Sequence, residues 1–256
     1  MWRSVAYEGG LSPYLGAFEC TTTELITDLG DETTCNCVDE RILRKKGDIH
    51  LIAAGALLRH TKSNGLTLLC EAVKRAHTTK FFSHDDCGGM RILYGHLHGQ
   101  EVAAALSMQD LNAFSRRTVK DLAAEVSAIV GWPIEAMHHY DRKFHNSKEF
   151  HPSITVYVVG LRAGFNPNRR FIYAPLGYVV SKFFYDDPPL ALEEAALCNQ
   201  LILQTYGSRV TSATPLHMVA LSKPEDQNEL LDGLHGVASQ FPGNIVRVEP
   251  CAYPFA

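Results

Sequence analysis

The sequence predicts an α/β protein with a mainly parallel sheet flanked by helices, and three observations lead there. Apolar strand-like runs alternate with stretches of helical spacing between residues 33 and 100. Strand-like runs return at "SITVYVVGL", "RRFIYAPLGYVVSKFF", "LHMVALS" and "NIVRVE", the last three separated by helical stretches. The chain has 256 residues, 46% of them hydrophobic, which is enough for a sizeable core. Alternation of this kind builds βαβ units, because two parallel neighbours need a crossover long enough to hold a helix.

In chain order, "TTCNCVDERI" (33–42) reads as a short strand running into a loop. "DIHLIAAGALL" (48–58) starts as an apolar strand and ends in a small-residue turn at Gly55. Leu66, Leu69, Cys70, Val73 and Ala76 then share one helical face, with Ser63 or Asn64 placed to cap it. "KFFSHDD" reads as a buried strand, and "CGGMRILYGHLHG" as a helix that begins near Cys87. Residues 101–130 are one long helix or two shorter ones. "DDPP" (186–189) punctuates the chain before a helix at about 190–206, and another helix falls near 225–240. The expectation is a single domain over 1–256, with its principal motifs in a core at about 33–100. The C-terminal part, about 150–256, would extend the sheet. The stretch 141–152 could be a linker, but composition does not shift there, and no internal repeat is visible.

Bulk properties exclude several classes. A formal net charge of −4 without a basic stripe argues against nucleic acid as a partner. No apolar run reaches the ~18 residues of a membrane helix, so no membrane is expected. The start, "MWRSVAYEGGLSPY", lacks the apolar stretch of a secretory leader. Seven cysteines in so long a chain suggest reduced thiols and a cytoplasmic setting rather than disulfide staples.

Two motifs carry chemistry. Cys37-Val38-Asp39-Glu40-Arg41 is C-x-D-x-R, and His84-Asp85-Asp86-Cys87 is H-x-x-C after a strand–helix–strand interval. In a parallel sheet both fall at carboxyl ends of strands, where crevices form. If residues 37–41 stay extended, Cys37, Asp39 and Arg41 face one side. Two thiolates and an imidazole suit Zn(II) and leave a fourth tetrahedral position for water. Zinc held this way lowers the pKa of its water toward neutrality. Cys87 sits where a helix begins, so the helix dipole favours its thiolate. Gly88 and Gly89 would let backbone pass close to the metal.

At these residues the chain resembles the β-class carbonic anhydrases, whose signature is C-x-D-x-R followed at a distance by H-x-x-C-G. "GDIHLIAAGALL" between the motifs is similar to the family's glycine-aspartate, apolar strand and small-residue turn. The likeness covers roughly residues 33–100. It implies a β-carbonic-anhydrase-like fold with an enlarged C-terminal part, and a zinc lyase interconverting carbon dioxide and bicarbonate. Cys37, His84 and Cys87 would be the metal ligands. Asp39 would accept a hydrogen bond from zinc-bound hydroxide, and Arg41 would keep Asp39 ionised and off the metal. The resemblance also implies a homodimer or higher homo-oligomer. The interval from Cys37 to Gly47 is shorter than in relatives. "IAAGA" stands where many carry Arg or Asn ahead of Ala-Gly, and the residues beyond about 100 match nothing in the family. The same site chemistry fits hydrolysis of carbon disulfide or carbonyl sulfide. A non-catalytic zinc protein, closed by Cys35 or Asp39 as a fourth ligand, is the alternative from another class.

Other residues read more plainly. Cys35 is a neutral neighbour of Cys37 unless it closes the site. Cys20, Cys70, Cys198 and Cys251 are packing residues. His96 and His98 could relay protons, but residues two apart on a helix diverge, so surface positions are expected. "MHHYDRKFH" (137–145) with His151 has no clear ligand spacing and reads as solvated loop or helix end. Asp85 and Asp86 either hydrogen-bond an imidazole beside the metal or cap the next helix. Gly55 brings backbone near the site or simply makes a turn.

Overall fold

A computed structural model describes residues 33–38, 49–139, 155–159, 178–181, 188–207, 210–222 and 224–252. Two compact units divide the chain, residues 28–145 in one and 1–27 with 146–256 in the other. Among the described residues each unit carries its own four-stranded sheet, and every strand pair is parallel. The α/β class with parallel strands and flanking helices is therefore as expected. The expected C-terminal extension of one sheet is corrected: the strands after residue 150 pair among themselves. The boundary falls within the stretch 141–152, and composition does not mark it because both sides are the same class of structure.

In the 28–145 unit the strands are β1 (Thr33–Asn36), β2 (Ile49–His50), β3 (Thr78–His84) and β4 (Glu135–His139), in the order β2-β1-β3-β4. Its helices are α1 (Ala56–Thr61), α2 (Gly65–Ala76), α3 (Gly88–His98), α4 (Gln100–Ala105) and α5 (Met108–Val130). Helix α2 forms on the predicted face: Leu69, Cys70 and Val73 are buried while Glu71, Lys74 and Arg75 are exposed. Residues 101–130 form two helices, because Ser107 starts α5 by accepting from the Asp110 backbone N–H at 3.1 Å. Gly131, at φ 89°, ends α5 in the left-handed conformation that glycine adopts most readily. Leu111, Val119, Leu122 and Val126 of α5 are buried, each contributing about 1.5–3 kcal/mol by leaving water. Phe81 of β3 is wholly buried.

Between β2 and α1 the chain makes a tight turn over Ile52–Gly55. Three successive residues there have positive φ: Ala53 (53°), Ala54 (54°) and Gly55 (87°). For an L-residue this region costs roughly 1–2 kcal/mol, so small side chains are the ones that tolerate it. A Cβ on Gly55 would also lie 2.8 Å from Leu69 Cδ1, so this glycine serves the turn and the packing of α2.

In the other unit the strands are β5 (Thr155–Val159), β6 (Tyr178–Ser181), β7 (Leu216–Ser222) and β8 (Val246–Ala252), in the order β6-β5-β7-β8. Helices α6 (Pro188–Tyr206) and α7 (Gln227–Ala238) follow β6 and β7. Val156, Val158, Val180, Met218, Val219 and Ala220 are fully buried, as in parallel strands shielded on both faces. Within this core His217 Nδ1 of β7 lies 2.5 Å from Glu249 Oε1 of β8, with the side chains 0% and 5% exposed.

Candidate metal centre

In the order β2-β1-β3-β4 the chain moves from β1 to one side and then returns past it to β3. The crevice of a parallel sheet opens at the carboxyl ends of strands flanking such a reversal. Cys37 follows β1 directly, His84 is the last residue of β3, and Cys87 precedes the first turn of α3. Fifty residues of chain separate the two cysteines, yet their sulfurs lie 3.7 Å apart. All three residues are buried, and one ligand atom from each lies within 4.8 Å of the others. Two sulfurs at a metal–sulfur length of about 2.3 Å in a tetrahedron stand about 3.8 Å apart, close to this spacing. A disulfide would need about 2.05 Å.

The imidazole of His84 is oriented from its far side. Its Nδ1 lies 2.8 Å from the carbonyl oxygen of Asp85. A carbonyl only accepts, so Nδ1 carries the proton and the lone pair sits on Nε2. Cys87 is at the amino end of the eleven-residue helix α3, where the dipole favours a sulfur anion. Cys37, His84 and Cys87 form a buried two-sulfur, one-nitrogen group that could hold a metal ion. Asp39 and Arg41 lie outside the described residues.

The neighbours sort out clearly. Cys35 is buried and its thiol donates to the Ala54 carbonyl at 3.5 Å, away from the metal-type group. Asp85 hydrogen-bonds two imidazoles, that of His84 through its backbone carbonyl and that of His138 through its carboxylate. The residue that caps α3 is Cys87, whose own side chain makes no capping hydrogen bond. Asp86 is exposed with φ 51°, and its backbone N–H donates to Asn112 Oδ1 at 2.9 Å. A Cβ on Gly89 would meet Ile52 Cγ2 at 2.6 Å and the Ala53 backbone nitrogen at 3.0 Å. The close approach is thus to the left-handed turn. His96 and His98 are exposed on α3, the surface positions expected, and His98 rests on Tyr94. Cys70 is buried on α2, and burial pushes its thiol pKa up, as suits a packing residue. Cys198 is fully buried, and Cys20 lies outside the described residues.

The histidines of "MHHYDRKFH" are the residues that sequence reasoning missed. The expected loop or helix end is strand β4, in register with β3, so that Ser83 faces His138 and His84 faces His139. Only Ile134 just before this strand is a buried apolar residue, so hydrophobic pattern gave no sign of it. The ladder to β3 holds it, together with polar contacts. Ser83 Oγ lies 2.7 Å from His138 Nδ1, and His138 Nε2 lies 3.0 Å from Asp85 Oδ1. Burial lowers the pKa of His138, against the opposing pull of Asp85. His139 Nε2 lies 3.2 Å from Asn36 Oδ1, and its ring stacks on Phe82 at 4.2 Å. One signal was available: a long helix after a parallel strand has to lead back to another strand. The rest of that tract, with His151, lies outside the described residues.

No protein-family model, curated protein or solved structure matches this chain. Among the described residues no helix is long and apolar enough to cross a membrane, and Cys35, Cys37, Cys70, Cys87 and Cys198 form no disulfide.

Proposed function

We propose that the protein is a zinc-dependent carbonic anhydrase of the β type, catalysing reversible hydration of carbon dioxide to bicarbonate. The observation that carries this reading is the convergence of Cys37, His84 and Cys87 at the carboxyl ends of β1 and β3. It joins C-x-D-x-R and H-x-x-C, the two halves of the signature that suggested the family. The donor set fits zinc: two sulfurs at tetrahedral spacing and one imidazole nitrogen fixed as an acceptor. A zinc ion held there would supply Lewis acidity and bring the ionisation of water toward neutral pH.

The chain's own groups then have distinct tasks. Cys37 and Cys87 hold negative charge at the centre of a buried pocket of donors, and His84 completes the set. Asp39, two residues after Cys37, would accept a hydrogen bond from the attacking nucleophile and so aim it at the carbon of the substrate. Arg41 would pair with Asp39, keeping the carboxylate ionised and away from the metal. A homodimer or larger homo-oligomer and a cytoplasmic, thiol-reducing setting belong to the same reading.

The test is zinc content together with stopped-flow hydration of carbon dioxide. About one zinc per chain is expected from three ligands of this type, with hydration that disappears in Cys37→Ala and falls steeply in Asp39→Ala. Fully zinc-loaded protein without hydration activity would overturn the reading. Turnover of carbonyl sulfide or carbon disulfide in its place would move the substrate to those linear molecules.

A further inference from the structure

We infer that His138 is a positioning residue for the Cys37–His84–Cys87 group, clamping the side chains of the residues on both sides of His84. The inference rests on the metal-binding part of the reading above. His84 is the last residue of β3, so regular pairing stops at the residue that must be aimed. Beyond it, among the described residues, comes a long contact, the Asp85 backbone N–H donating to the His139 carbonyl at 3.4 Å. Asp86 then turns left-handed at φ 51° before Cys87. A ligand at such a fraying point needs anchors outside the ladder, because an imidazole must be held within roughly 10–20° of its productive direction.

His138 supplies two of them with one rigid ring. Its Nδ1 meets Ser83 Oγ at 2.7 Å, one residue before His84, and its Nε2 meets Asp85 Oδ1 at 3.0 Å, one residue after. A planar ring bound at both nitrogens cannot rotate without breaking one bond. Asp85 passes the constraint on, because its backbone carbonyl is the acceptor 2.8 Å from His84 Nδ1. The sequence of contacts runs from His138 to the Asp85 carboxylate, through the Asp85 peptide, to His84. Arg116 also approaches Asp85, but at 3.9 Å from a side chain 44% exposed, which makes it a weak substitute. The His138 side chain is 8% exposed. Partners that orient metal-ligating groups in this way typically contribute 10–100-fold in metal affinity, by about the amount lost when they are removed.

The experiment compares wild type, His138→Ala and His138→Gln by two readouts. Long-range proton–nitrogen NMR of the metal-free protein reports the His84 tautomer. Competition with a chelator reports zinc and cobalt affinity, and the cobalt absorption bands report ligand geometry. Wild type should show His84 protonated on Nδ1 alone. His138→Ala should mix the two tautomers, shift the cobalt bands and weaken metal binding by about 10–100-fold, with His138→Gln, which can still reach Asp85, recovering part of the loss. A folded His138→Ala that keeps the single tautomer and wild-type affinity would overturn the inference. Should His138→Ala fail to fold, Ser83→Ala and Asp85→Ala each remove one half of the clamp and are read in the same way. Wild type that binds neither metal would defeat the proposed function, while the tautomer comparison would still decide the clamp.

Discussion

The two units share a strand order and differ in what stands at the strand ends. Both sheets run, in their own numbering, second-first-third-fourth, all parallel, so each chain segment reverses direction across its first and third strands. In the 28–145 unit those ends carry Cys37 and His84, with Cys87 beginning the helix that follows. In the other unit β7 ends at Ser222 and leads into a short helical turn at Pro224–Asp226. Its buried histidine is instead the second residue of β7, paired across the sheet with Glu249 in the middle of β8. Sheet order thus provides a crevice, and residues at the carboxyl ends decide whether it has chemistry. His217 sits inside the sheet beside a carboxylate, whereas His84 stands at a strand end with two cysteine sulfurs close by. The Cys37 group is the one set of three such side chains, among the described residues, close enough for a metal.

That contrast can be broken most severely at the metal. Cys37→Ala should reduce metal content from about one per chain to near zero, since two remaining donors hold zinc poorly. His217→Ala should leave it unchanged. Elemental analysis of the purified proteins checks both, and a loss of metal in His217→Ala would erase the distinction between the units.

Next in size is the cross-strand pair. Glu249→Ala leaves the buried His217 Nδ1 without its acceptor and should cost roughly 3 kcal/mol of stability in urea unfolding. Metal content should not change. Gly89→Ala comes third, because its Cβ would press on Ile52 and on the Ala53 backbone. Forcing a methyl into such packing costs about 1–3 kcal/mol, read as a lower Tm.

The smallest effect is at the surface. Arg59 grips Glu125 with contacts of 2.9–3.2 Å, which hold the Glu125 carboxyl below its ordinary value. The side chains are 35% and 38% exposed, so Glu125→Gln should cost only about 0.5 kcal/mol, and less in high salt. Because the folded pKa is depressed, this contribution is complete above the unfolded value of 4.5 and fades as pH falls through the folded one. Denaturant titrations of the pair of proteins at neutral and acid pH would show the difference closing.

Much of the site was legible before the fold. Strands near 33–36 and 78–84, the helix after Cys87 and the α/β class follow from alternation, spacing and turn residues. The pair C-x-D-x-R and H-x-x-C named the three donors that the structure brings together. Strand β4 escaped because backbone pairing and polar contacts sustain it, with its side chains half-buried or exposed, and periodicity reports only burial. His138 escaped with it. Helix α1 was hidden because Ala56, Leu57 and Leu58 continue an apolar run that also reads as strand. The division into two units was hidden because neither composition nor repeat marks it, although strand order makes the two alike.

The turn at residues 53–55 carries a consequence for how the gene can vary. With its backbone on the side of conformational space that branched side chains shun, position 53 or 54 should accept glycine in a saturation library and lose valine and isoleucine. Because that turn touches both Cys35 and the space beside Gly89, mutational tolerance there is a fingerprint of the centre's architecture that can be recorded without ever adding a metal.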